Sequence, residues 1–105
     1  MNEHVIQNRI LLEIGSIPWL RVWRNNTGAL FDRNNKLVKF GLQGSADIIG
    51  MMKPNGRFLA IEVKTQKGIQ TASQKRFQKM VEDMGGLYIL ARSPEDVTKA
   101  LGIKT

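Results

Sequence analysis

Two apolar runs joined by a tight turn constrain this chain more than any other feature. Asp47-Ile48-Ile49-Gly50-Met51-Met52 and Arg57-Phe58-Leu59-Ala60-Ile61-Glu62-Val63-Lys64 read as strands, and Lys53-Pro54-Asn55-Gly56 between them reads as a four-residue turn. Stretches this continuously hydrophobic are the pattern of strands buried on both faces. The turn also sets the register. With Met52 opposite Arg57, Asp47 falls opposite Glu62, and Lys64 shares a face with Glu62 because side chains alternate along a strand.

Opposed side chains in such a ribbon have Cβ atoms about 5 Å apart, a distance at which two carboxylates repel. One explanation is a surface salt-bridge cluster with Lys64 as the counter-charge. The other is a metal ion held between Asp47 and Glu62. Charges set among Ile48, Ile49, Met51, Phe58, Leu59, Ala60, Ile61 and Val63 are costly unless paired or bound to a cation, which favours the metal. The chain has no cysteine and a single histidine, His4, so thiolate and histidine-based zinc sites are excluded and any metal must be held by oxygen.

At 105 residues, 42% of them hydrophobic and with no Pro/Gly/Ser-rich linker, residues 1–105 are expected to form one domain around one core. Sixteen Lys and Arg against nine Asp and Glu give a net charge of +7, and the pI is near 10.2. That balance favours a polyanionic partner such as DNA. Met1-Asn2-Glu3-His4 is neither a basic leader nor followed by an apolar core. No apolar run approaches the ~18 residues of a membrane span. A soluble protein without membrane partners is expected, cytoplasmic in a bacterial or virus-infected cell.

The remaining segments supply the order helix, strands, helix, strand, helix. Asn2 is a candidate N-cap for a helix carrying Ile6, Ile10 and Ile14 up to Gly15. Trp19–Arg24 alternates as a strand, and Ala29–Phe31 with Leu37–Phe40 read as a hairpin around residues 32–36. Thr71 and Gln74 form a capping box, after which Phe77, Met80, Val81 and Met84 mark one apolar helical face that ends at Gly85-Gly86. Leu87–Leu90 is a short strand, and Ser93-Pro94 opens a last helix. The strand from Arg57, the helix from Ala72 and the strand from Leu87 make a β-α-β unit with parallel strands. Joined to the hairpin, it predicts an α/β or α+β mixed fold, a mixed sheet with helices against it.

In this order the motifs Arg24-Asn25-Asn26-Thr27-Gly28, Gly44-Ser45-Ala46-Asp47, Glu62-Val63-Lys64, Ser73-Gln74-Lys75-Arg76-Phe77 and Gly85-Gly86-Leu87-Tyr88 span most of the chain. Together they resemble the PD-(D/E)XK nuclease superfamily, in particular its virus-type replication-repair nuclease (VRR-NUC) branch. Ala46 departs from the proline of the superfamily's name. The resemblance implies a restriction-endonuclease-like core and a Mg²⁺ or Mn²⁺ ion held by Asp47, Glu62 and the Val63 carbonyl. It further implies that Lys64 orients the attacking water or stabilises the charge growing on the phosphate, that Gln74 lies near the catalytic centre, and that a first-helix glutamate, for which Glu3 is the candidate, contributes a ligand directly or through water. Gln74 also has its capping role, and Glu3 is favoured at a helix start by the macrodipole alone.

Lys64, Lys67, Lys75, Arg76 and Lys79 form an acid-free basic run, after which Glu82 and Asp83 lie at the helix end. That order opposes the helix dipole. It is explained either by phosphate contact at the helix start or by a solvated face on which Lys79 pairs with Glu82 or Asp83. Arg24, Asn25 and Asn26 are further candidates for the nucleic-acid backbone or the rim of the site, or belong to an ordinary turn. The expected activity is Mg²⁺-dependent hydrolysis of DNA phosphodiesters. The resemblance implies branched substrates such as four-way (Holliday) junctions, and a homodimer follows from the need for two cuts. Another nuclease of the same core, restriction-type or exonucleolytic, and a non-catalytic basic nucleic-acid-binding module are the alternatives.

Overall fold

Isoleucines four residues apart seat the first helix. In the computed structural model, which describes residues 2–103, α1 (Glu3–Ile14) is capped by the Asn2 side chain, which accepts from the Val5 amide at 2.9 Å. Ile6, Ile10 and Ile14 are buried along one stripe. The chain continues through β1 (Leu20–Arg24), β2 (Gly28–Phe31), β3 (Leu37–Phe40), β4 (Ile48–Met52), β5 (Arg57–Val63), α2 (Ala72–Asp83), β6 (Leu87–Ala91) and α3 (Pro94–Leu101). Four strands form a sheet in the order β1-β4-β5-β6, and β2 with β3 forms a separate two-stranded sheet.

The sheet is mixed, as the β-α-β reading requires. β4 pairs antiparallel with β1 and β5, and β5 pairs parallel with β6. Met52 lies opposite Arg57 and Ile48 opposite Ile61, the register expected from the turn. One face carries Ile48, Leu59, Ile61, Val63, Ile89 and Ala91, closed by the isoleucines of α1 and by Val97 of α3. Each leucine, isoleucine or valine among them contributes roughly 1.5–3 kcal/mol by leaving water.

On the opposite face, Ala60 and Tyr88 meet Phe77 and Val81 of α2, with Ala46 beside them. α2 is alone here. Beyond its reach Trp23, Met51 and Phe58 are exposed, and so are Met80 and Met84 on the helix itself. Two expectations are therefore corrected: the central hairpin is not covered on both faces along its whole length, and only half of the apolar stripe of α2 is buried. The reason is that one twelve-residue helix cannot cover four strands.

Gly44 ties this layer together. It sits at φ +79°, and a Cβ there would lie 2.4 Å from the Ser73 carbonyl oxygen, so only glycine lets the loop before Asp47 press against the first turn of α2. The β2–β3 hairpin forms as expected, its turn held by the Asp32 carboxylate, which accepts from the Asn34 and Lys36 amides.

Candidate functional site

Asp47 stands immediately before β4, where neighbouring strands hold it on two sides. Its carbonyl accepts from the Asn25 amide at 2.9 Å, and its Oδ2 accepts from the Val63 amide at 2.8 Å. Asn25 grips the approach as well, donating from Nδ2 to the Ser45 hydroxyl and to the Ala46 carbonyl. The backbone just ahead of Asp47 is thus fixed by the side chain of the residue that follows β1.

Glu62 is the one buried acidic residue among those described, only 3% exposed. Continuing the β4–β5 register places it opposite Asp47 on the α2 side of the sheet. Its Oε2 accepts from Gln74 Nε2 at 2.9 Å and lies 3.6 Å from Lys64 Nζ. Its Oε1 is buried with no hydrogen-bond partner. Lys64 is itself largely shielded, and its amide continues the parallel ladder by donating to the Ala91 carbonyl.

Burial pushes the Glu62 carboxyl up to about 7, and the neighbouring Asp47 charge pushes the same way. The Lys64 ammonium, 3.6 Å away, opposes both through its charge, while Glu3 adds a smaller upward push. One lysine therefore does not neutralise the cluster. A buried carboxyl oxygen without a partner, facing a second carboxylate, favours a positive charge beside it, a proton below about pH 7 or a cation above. Hard oxygen donors of this kind suit Mg²⁺ or Mn²⁺.

Gln74 settles neither of its two roles at the expense of the other. Its Oε1 accepts from the Thr71 amide, completing the capping box, while its Nε2 reaches Glu62. Glu3 is half-buried in the first turn of α1, near enough for its charge to act on Glu62. No group of three or more metal-ligating side chains is drawn together among the described residues.

The basic candidates divide. Lys75 and Arg76 are exposed on the first turns of α2, and Lys67 is exposed on the loop after Lys64. Lys79 instead holds Asp83 at 2.6 Å, the pairing expected of a solvated helical face. Arg24 donates to Asn8, and Asn25 is engaged as described, which leaves Asn26 exposed at the edge.

Sequence reasoning missed three residues. Arg92 Nη1 donates to the Thr65, Gln66 and Gly68 carbonyls and so holds the loop that follows Lys64. Tyr88 and Gln70 lie on the α2 side, where Gln70 Nε2 donates to the Tyr88 hydroxyl at 3.1 Å and to Gln78. Burial raises the Tyr88 hydroxyl to about 12, so it stays protonated beside the two carboxylates. None of these contacts has a periodic signature. They join segments that are distant along the chain.

A scan against protein-family models and a search of curated proteins returned no match. The functional reading therefore rests on the residues and their geometry.

Proposed function

We propose that this chain is a Mg²⁺- or Mn²⁺-dependent DNA endonuclease that hydrolyses phosphodiesters by direct attack of water, forming one P–O bond as another breaks. The observation that carries the reading is the partnerless buried oxygen of Glu62, set opposite Asp47 with Lys64 alongside. Asp47 and Glu62 would hold the ion, with the Val63 carbonyl and Glu3 as the further ligands that the VRR-NUC resemblance suggests. When bound, the ion would supply Lewis acidity, lowering the pKa of the attacking water and offsetting phosphate charge.

The chain's own residues do the rest. Lys64 places a shielded ammonium where negative charge grows on the phosphate, and such a group is worth most where water is excluded. Gln74 fixes one oxygen of Glu62, leaving the other free to bind. Lys67, Lys75 and Arg76 offer exposed cations to the flanking phosphates, a contribution that weakens as salt rises. Branched DNA, four-way junctions included, is the proposed substrate, cut by a homodimer because each chain has one such centre. A module that only bound nucleic acid would have no use for an unneutralised carboxylate pair inside the fold, which disfavours that alternative. Among the described residues no helix is long and apolar enough to cross a membrane.

The test is incubation of supercoiled, linear and four-way-junction DNA with Mg²⁺, Mn²⁺ or EDTA, with Asp47→Ala and Lys64→Ala in parallel. Metal-dependent cleavage by the wild type, reduced at least ~100-fold in both variants, is expected. Equal survival of every substrate with all three proteins would refute the enzyme.

A further inference from the structure

Every residue from 26 to 43 is exposed, although the segment carries a run of large apolar side chains. Leu30 lies opposite Val38, with Phe40 two residues further along on the same face. Phe31 lies opposite Leu37 on the other face. A hairpin that is apolar on both sides is built to be covered on both sides, and an isolated two-stranded ribbon has little stability of its own. β2 and β3 pair with each other and pack extensively on no other element. They form an arm on a molecule that is 51 Å along its longest axis and 25 Å along its shortest.

The same chain has an apolar surface lacking a cover. The bare part of the α2-side sheet face presents Trp23, Met51 and Phe58, and Met80 and Met84 border it from the helix. Between helix and strands lies a cavity of about 620 Å³ whose lining includes Ile49, Phe58, Met80 and Met84, and also Leu42 at the base of the arm. Arm and groove are thus continuous.

We propose that the β2–β3 arm of one protomer lies in this groove of a second copy, reciprocally about a two-fold axis. Area supports the choice of occupant. Taking about 200 Å² for a fully exposed large apolar side chain, the fractional exposures of Leu30, Val38 and Phe40 on one face of the arm, with Leu42 at its base, leave roughly 430 Å². The five groove residues leave roughly 500 Å² by the same measure. Together these come to roughly 900 Å² per protomer, comparable with the ~800 Å² per partner of a standard interface. Two complementary apolar surfaces on one chain make a second copy the partner always present at matching concentration.

This assignment rests on the pairing in the proposed function but not on its chemistry, and its test reads assembly rather than cleavage. Sedimentation equilibrium at micromolar concentration should give twice the 11.9 kDa chain mass for the wild type. The single mass is expected for Leu30→Asp/Phe31→Asp and for Met51→Glu/Met84→Glu, with unchanged far-ultraviolet circular dichroism. Because the chain has no cysteine, Phe31→Cys and Met51→Cys proteins can be mixed and treated with a short bis-maleimide. A cross-link that forms in the mixture, and in neither protein alone, places arm in groove. A monomeric wild type, a dimer that survives the arm substitutions, or a mixture that does not cross-link overturns the proposal.

Discussion

The two faces of the four-stranded sheet are made from the same four strands yet have opposite characters. Under α1 and α3 the side chains are aliphatic and almost wholly excluded from water. Under α2 the layer is incomplete: a charged pocket around Glu62 lies at one end and a bare strip through Met51 and Phe58 at the other. The first face accounts for stability. On the second, the parts left unfinished are those to which we assign catalysis and pairing, because unsatisfied carboxylate and uncovered hydrocarbon are both costs that binding relieves.

The sharpest way to break this contrast is to cut a side chain on each face. Leu59→Ala, beneath α1 and α3, is expected to destabilise the fold by about 2–5 kcal/mol, whereas Met51→Ala on the exposed strip should cost under about 1 kcal/mol in monomeric protein. Urea denaturation measures both at low protein concentration. Comparable losses would mean that the second face is as closed as the first.

A subtler probe uses the raised pKa of Glu62. A carboxyl at about 7 in the folded chain and 4.5 when unfolded takes up a proton on folding between those values. Its contribution is intact below pH 4.5, is lost as pH rises toward 7, and becomes a constant penalty above that. In EDTA, Glu62→Gln should match the wild type near pH 4.5 and exceed it by up to about 3 kcal/mol at pH 8. Thermal melts across that range would show it, and parallel curves for the two proteins would mean that Glu62 is not strained.

Much of the fold can be read from local chemistry. The turn at residues 53–56 determines the β4–β5 register, the Thr71–Gln74 box starts α2, and Asn2 with three isoleucines defines α1. The juxtaposition of Asp47, Glu62 and Lys64 follows from that register, so the geometry at the centre of the candidate site was legible too. The hidden part is tertiary. Nothing in the alternation of Trp23, Met51 or Phe58 states that a single helix would leave them bare. Nor does sequence spacing reveal that Asn25 would clamp Ala46 and Asp47, or that Arg92 would hold the loop after Lys64. Such hydrogen bonds depend on which elements become neighbours, and strand pairing in one hairpin does not specify that for the whole sheet.

Isothermal titration of Mn²⁺ into the protein at pH 8, alone and with bound four-way-junction DNA, addresses the central claim most directly. Saturable uptake by the wild type that is abolished in Asp47→Ala and Glu62→Gln is the predicted result. No uptake by the wild type even with DNA, or equal uptake by all three proteins, would contradict a cation site built on Asp47 and the free oxygen of Glu62.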